Sequence, residues 1–503
     1  MALQGLSGSW SAGFLGYPDE PAHFVGAVMV RDWLVSGRWL APLEFARNYY
    51  NHYPYFALGY WPPLFSALTG LWMLVAGVGR AQALLVPTLF AAGSGWLVFK
   101  LVRRGTGAAA GVCAGALYLS LPAVRQWMGA VMADHMSTFL CIAAALCLLR
   151  YLERPLLRNG ILWAVCCGFA ILSKYSAAYT VALPFLAILL LRRFELLKKP
   201  SFLAQPVIVA LMVGPWALWT RKLAFYGLPA EPQALTLKRV ASFPIETFQI
   251  FPPALMAVVI LGLIATLIRP RVWRNDAVVL SLLFAGNLAF LISSPVGPER
   301  RYLLAPAAVL LVAAFAGWSK ALAWIPPGRR WARAVPICAA MLTIAFVGSQ
   351  FRHLARMPQD PIAEVVALAV KGPVRAAQRV LVPPNLEGPV IAEFVSQSRH
   401  RPDRYLLRPN KLLAHENWFG GDYSSNFVTA EEMMEFFRRN PVDLIIWNER
   451  PEAALRPHER IMREMLRRYP LAWRAALSLS SDGGPASFSW TVYEYDLPPL
   501  ESR

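Results

Sequence analysis

Acidic residues are scarce in the first 350 positions of this 503-residue chain. Those positions hold 11 Asp and Glu against 29 Lys and Arg, whereas residues 351–503 hold 19 against 20. The net charge of +19 therefore falls almost wholly in the first part, which is also the apolar part. The positive-inside bias of membrane loops produces that pattern, and it excludes a nucleic-acid partner. Charge of either sign is sparse overall. Only 16% of residues are charged, where soluble domains carry about a quarter, and 56% are hydrophobic with a mean hydropathy of +0.42. A soluble globular protein is excluded, and a polytopic membrane protein with a polar appendage is implied.

Cysteine is equally uninformative for staples or metals. The six cysteines (Cys113, Cys141, Cys147, Cys166, Cys167, Cys338) sit inside apolar runs and the polar tail has none. This excludes a disulfide framework and a zinc spacing, leaving them as small packing residues. The sequence also lacks a phosphate loop, a metalloprotease pattern and an internal repeat. The opening MALQGLSGSWSAGFLG has no basic n-region and no run of about 20 apolar residues, so it reads as neither a signal peptide nor a spanning helix.

What is present is concentrated first in Tyr17–Pro63. That stretch carries Asp19, Glu20, Asp32 and Glu44, four of the 11 acidic residues, with His23, His52 and many Tyr and Trp side chains. His23 and Phe24 follow the acidic pair at helical spacing, and Val25 to Val35 reads as a helix too polar to span. PLFSALTGLWMLVAG is expected to form an interfacial or partly inserted helix ending at Gly77 and Gly79. Ten spanning segments follow, at about 81–102, 107–124, 136–152, 159–173, 176–191, 204–221, 252–268, 276–294, 302–318 and 334–350. Alternate loops hold 17 basic residues, from Lys100, Arg103 and Arg104 through Lys320, Arg329, Arg330 and Arg333, against three acidic ones. These loops face the cytoplasm. The opening stretch, residues 125–135, Lys174, residues 222–250, the PVGPERRY turn and the tail then lie together outside.

The tail, from about Met357, is mixed α/β. RVLVPP (379–384) and PVIAEF (389–394) look like short strands. Thr429 with Glu432 forms a capping box that opens EEMMEFFRR, VDLIIWN (442–448) is a buried strand, and residues 456–468 form a helix. A hairpin closes the chain around SDGGP. Three divisions are thus expected: 1–80 as an extracytoplasmic loop region, 81–350 as the helical membrane domain, and 351–503 as an extracytoplasmic α/β domain without a catalytic motif of its own.

Chemistry is expected where ionisable groups approach hydrocarbon. Asp134 and His135 lie between two apolar segments, and an acid so placed is costly and functional by default; the bland alternative is a cap on the helix starting at Met136. Lys174 interrupts GFAILSKYSAAY, and Arg300 and Arg301 follow Glu299 before the next span. Snorkelling accounts for any one of them. Together they offer fixed positive charge and an Arg fork for a lipid phosphate. A carboxylate base would take a proton from an acceptor hydroxyl as that oxygen attacks an anomeric carbon, the cations stabilising the departing phosphate.

The ordered set YPDEPAHF, YWPPLF, MADHMSTFL, LSKYSAAY and PERRYLLAP resembles the GT-C superfamily of polytopic glycosyltransferases over about residues 17–350. Within it the chain is similar to glycosyltransferase family 39, the protein-mannosyltransferase-like and aminoarabinose-transferase-like bacterial membrane proteins. The resemblance implies Asp19 as catalytic base with Glu20 beside it, Asp134 as the acid of the second outer loop, and Lys174 with Arg300 or Arg301 at the lipid phosphate. His23 and His135 are expected as substrate contacts. It further implies a polyprenyl-phosphate sugar donor, undecaprenyl or similar, an acceptor that is a protein, lipid or glycan, surrounding membrane lipids, and no cofactor or metal. Residues alone leave a divalent ion on the acids open. Family members carry a spanning helix before the acidic pair; this chain as given has none, so its first span is expected to be missing. His52, Tyr53, Trp61, Pro62 and Pro63 also match a family pattern, and belt aromatics and rigid turns account for them as well. The alternative function is a transporter or flippase of a lipid-linked substrate, which places charge in mid-span and repeats its halves.

Overall fold

The computed structural model describes residues 2–56, 59–223, 237–268, 274–294, 299–322, 330–352, 361–371, 376–416, 421–480 and 489–496. The side chains of Arg269, Arg271, Arg274, Arg329, Arg330 and Arg333, residues 224–236 of the loop 222–250, residues 295–298 of the PVGPERRY turn and the SDGGP turn lie outside these. The chain divides into two compact units that interleave along the sequence. One comprises residues 1–10, 59–65 and 84–356; the other comprises 11–58, 66–83 and 357–503.

In chain order the helices are α1 (Ala2–Leu6), α2 (Glu20–Ser36), α3 (Pro42–His52), α4 (Leu64–Ala76), α5 (Arg80–Thr106), α6 (Ala108–Ser120), α7 (Pro122–Met128), α8 (Asp134–Glu153) and α9 (Leu157–Ser173). A 3-10 turn, Tyr175–Ala182, leads into α10 (Leu183–Leu191), followed by α11 (Pro200–Thr220), α12 (Leu237–Gln249), α13 (Pro253–Ile268) and α14 (Arg274–Ser293). Arg300–Leu303, again 3-10, opens α15 (Leu304–Leu322), and α16 (Arg330–Arg352) closes the helical part.

The ten apolar segments read from the sequence fall on these helices, 107–124 on α6 and α7 together and 176–191 partly on the 3-10 turn. Among the described residues five are long and apolar enough to cross a membrane: Arg80–Thr106, Asp134–Glu153, Pro200–Thr220, Asn275–Ser293 and Arg300–Leu322. Two further segments are bent pairs, α6 with α7 at 61° and α12 with α13 at 112°. Leu157–Ser173, Tyr175–Leu191 and Cys338–Gln350 are shorter than the roughly 20 residues that a straight span needs. Pro122, at the start of α7, accounts for the first bend, because proline removes a backbone donor and crowds the preceding turn. Helix α8 is the most enclosed span: Leu148, Leu149 and Tyr151 have no exposed surface. With no water to exclude between lipid and protein, such packing rests on close fit and on hydrogen bonds such as that between Tyr151 Oη and Ser201 Oγ at 3.1 Å.

The second unit gathers α2, α3 and α4 with the tail. α4 ends before Gly77 (φ +83°), as read from the sequence. A Cβ on Gly70 would lie 2.6 Å from the Ala27 carbonyl oxygen, so only glycine lets α4 approach the α2 backbone this closely. In the tail, α17 (Ile362–Lys371) precedes β1 (Arg379–Leu381), α18 (Glu387–Gln397), β2 (Tyr405–Leu407), α19 (Pro409–Leu412), and the paired β3 (Ala414–His415) and β4 (Ser424–Ser425). Then come α20 (Ala430–Arg439), β5 (Leu444–Asn448), α21 (Pro457–Arg468), β6 (Trp473–Ser480) and β7 (Ser489–Tyr495). The five-stranded sheet has the order β2-β1-β5-β7-β6; β1 runs parallel to β2 and β5, and β7 antiparallel to β5 and β6. Phe437, Trp447, Met462 and Trp473 fill its core.

The capping box at Thr429, the strand in VDLIIWN, the helix at 456–468 and the hairpin are where the sequence placed them. PVIAEF is corrected: it is helix, inside α18, with Val390, Ile391, Phe394 and Val395 all fully buried on one side. Those positions repeat at i, i+1, i+4 and i+5, a helical spacing that a six-residue apolar run conceals.

Candidate functional site

In the first unit, Asp134 is the first residue of α8. It is 3% exposed and forms an ion pair with Lys174. Lys174 occupies the break between α9 and the following 3-10 turn, with extended backbone (φ −160°, ψ 127°). The break interrupts the helical ladder and swings the Lys174 side chain inward, its ammonium 4.2 Å from the centre of the Tyr302 ring. Asp134, Lys174, Arg301, Tyr302, Tyr179 and Asn287 line one cavity among the apolar helices.

Arg301, 6% exposed, enters that cavity from the 3-10 turn before α15. Its Nε lies 2.7 Å from a Glu299 carboxylate oxygen, an Nη donates to Tyr302 Oη at 2.8 Å, and the guanidinium is 5.7 Å from the Trp127 ring centre. Arg300 takes a different direction. It is half-exposed and bonds Glu246 at 3.0 Å and Gln249 at 3.2 Å on α12. Of the two arginines that the sequence left as alternatives, Arg301 shares the cavity with Lys174. His135 is fully buried beside Asp134, and its Nε2 lies 3.1 Å from the Val124 carbonyl oxygen.

In the second unit, Asp19 and Glu20 part at the start of α2, because successive residues of a helix point about 100° apart. Asp19 stands half-buried at the N-cap position and makes no side-chain cap bond. Glu20 has no exposed surface and accepts from Arg80 Nε at 2.8 Å; Arg80 also donates to the Ala12 carbonyl at 3.2 Å. His23, one turn on, is buried as well. Burial raises the Tyr55 phenol above its ordinary value, with Arg408 opposing and the Glu387 and Asp19 carboxylates adding. Arg408 lies 4.9 Å from the Tyr55 ring centre and donates to Glu387 at 2.6 Å. Asp32 accepts from Arg401 at 2.8 and 3.3 Å and from Tyr49 Oη at 3.2 Å.

Sequence reasoning missed Arg80, Arg401 and Arg408, which pair with acids 21 to 369 positions away along the chain. It also missed Tyr179 and Asn287. A signal existed for Asn287: a carboxamide inside LLFAGNLAFLI is out of place in hydrocarbon unless something uses it. Among the described residues no group of three or more His, Cys, Asp or Glu side chains converges as a metal site.

The helical array with an α/β tail is a fold seen in solved structures. Two structures of ArnT from Cupriavidus metallidurans have it: the apo state, with a TM-score of 0.59 and 15% identity, and the form bound to undecaprenyl phosphate, with 0.60 and 13%. Each likeness covers 98% of this chain and 96% of that one. Archaeal oligosaccharyltransferase AglB from Archaeoglobus fulgidus, in complex with an inhibitory peptide and a dolichol-phosphate, has a TM-score of 0.52 and 13% identity, covering 89% and 68%. Residues 61–219 match the family model described as dolichyl-phosphate-mannose-protein mannosyltransferase. Over those residues the chain is similar to that family. No curated protein matches it.

Proposed function

We propose that this protein is a membrane glycosyltransferase that moves a hexosyl or pentosyl group from a polyprenyl-phosphate donor to a protein, lipid or glycan acceptor. The observation that carries the reading is the buried cavity in which Lys174, held by Asp134, and Arg301 meet among apolar helices. Two cations at that depth are costly unless an anion or a carboxylate answers them. Lys174 has N–H groups beyond the one facing Asp134, and Arg301 has a forked donor set. Both suit the oxygens of a lipid phosphate.

Asp19 acts as the base. It accepts the acceptor's hydroxyl proton; the acceptor oxygen bonds to the anomeric carbon as the bond from that carbon to the phosphate oxygen breaks, and the electron pair leaves with the polyprenyl phosphate. Glu20 serves through Arg80, fixing the start of α2. His23 and His135 shape the surroundings of the two acids. Arg300 stays at the rim in this reading, with Glu246. The site and the tail face the outside of a bacterial cytoplasmic membrane, as the distribution of basic loops implies. The donor chemistry agrees with the lipid phosphates bound by ArnT and AglB in their own structures.

A transporter or flippase is the second reading, and the two sharply bent helix pairs favour it. The deciding experiment uses the purified protein in vesicles with radiolabelled undecaprenyl-phosphate sugars and an extract of envelope acceptors. Transfer by the wild type that is lost in Asp19→Asn supports the proposal. Movement of the labelled lipid between leaflets without transfer overturns it.

A further inference from the structure

The cavity contains two polar groups that neither the ion pair nor the phosphate reading uses. Asn287 on α14 is 6% exposed, and its side-chain oxygen has no hydrogen-bond partner. The Tyr179 hydroxyl, buried on the 3-10 turn after Lys174, lies beside the Asn287 carboxamide and the Cys141 thiol but makes no hydrogen bond of ordinary geometry to either. The Tyr179 ring is seated flush on Gly286: a Cβ there would stand 2.9 Å from Tyr179 Cδ2. Buried polar atoms are rarely left incomplete unless a ligand or water completes them.

The chemistry of the two groups narrows the ligand. A carboxamide oxygen only accepts, so it needs a donor; a phenol both donates and accepts. A dianionic phosphate has no proton to give. An alcohol satisfies both at once. The free space in the cavity is about 20 Å³, room for roughly one water-sized group, so it suits a single hydroxyl at the edge of a ring. We infer that Tyr179 and Asn287 form a specificity subsite for one hydroxyl of the donor's sugar, next to the cations that take its phosphate. This inference rests on the glycosyltransferase reading.

The test measures affinity of the purified full chain for three probes: undecaprenyl phosphate, undecaprenyl phosphate mannose and undecaprenyl phosphate glucose. The wild type is expected to bind at least one sugar-bearing probe more tightly than the sugar-free lipid. Tyr179→Phe and Asn287→Leu should each cut that advantage about tenfold, the worth of one hydrogen bond to a neutral group, and leave sugar-free affinity within about twofold. Gly286→Ala, which keeps both polar groups but displaces the ring, should do the same. The subsite is overturned if no sugar-bearing probe gains, if the gain survives both polar substitutions because the space holds only water, or if sugar-free affinity falls alongside. Separately, sugar-free affinity unchanged in Lys174→Ala sinks the phosphate reading and leaves the measurements on Tyr179 to stand by themselves.

Discussion

Lys174, at the break after α9, pairs with Asp134, the first residue of α8. The pair has two consequences. Removing the carboxylate deprives a lysine whose side chain is only 21% exposed of its ion-pair partner, so Asp134→Asn should lower stability by about 3 kcal/mol, the lower end for a broken buried pair. It also removes a competitor for the lipid phosphate. Undecaprenyl phosphate should therefore bind Asp134→Asn at least as tightly as wild type while sugar transfer slows, which equilibrium binding and turnover on one preparation will show.

Asp19 and Glu20 are adjacent in sequence and should respond in opposite ways. Asp19→Asn is expected to cut transfer by about 10²- to 10⁴-fold, the usual share of general-base catalysis, with an unchanged melting temperature. Glu20→Gln leaves buried Arg80 without its carboxylate and should cost about 3–5 kcal/mol. Glu20→Leu combined with Arg80→Met should recover most of that loss. Thermal melting in detergent and initial rates of transfer separate the two residues.

The Asp32–Arg401 pair joins a loop helix to the tail within one unit, both side chains being 7% exposed. Arg401→Ala should destabilise by about 3–5 kcal/mol. Exchanging the charges, Asp32→Arg with Arg401→Asp, should restore part of it and a single reversal none, a coupling that a double-mutant cycle measures directly.

His458 is fully buried in the tail, with Nδ1 2.8 Å from the Tyr423 hydroxyl. Burial, with Arg456 and Arg450 nearby, lowers its pKa to about 4. An unfolded histidine titrates near 6.5, so between pH 6.5 and 4 the unfolded chain binds more protons than the folded one. Stability is complete above pH 6.5 and falls as pH drops through that window. Melting at pH 7 and pH 5 should show the slope, and His458→Gln should flatten it; an identical slope in the variant would count against the assignment.

Much of the fold was legible because hydrocarbon imposes a long, simple code. Segments such as 81–102 and 136–152 are too apolar to be anything but buried helix, and each proved to be one. Short elements carry less information. PVIAEF reads equally as a strand or as one face of a helix, and only its packing against α2 and α17 decides. β2, three residues between arginines in DRYLLRP, is too brief to announce itself. In the cavity, Lys174 and Asp134 were visible as charges out of place, whereas the choice between Arg300 and Arg301 was not. They are neighbours in sequence, and the 3-10 turn that points them apart has no local signature.

The sequence by itself determined that the chain is a multi-helix membrane protein with an α/β tail, and which few ionisable residues stand near hydrocarbon, because burial without a partner is too costly to occur by chance. Tertiary structure decided the partners. Arg80 meets Glu20, Arg401 meets Asp32 and Lys174 meets Asp134 across 40 to 369 positions. Tyr179 and Asn287 meet only because the break at Lys174 lays the 3-10 turn against α14. Pairing depends on distances in space, and a sequence sets those only through the whole of its packing.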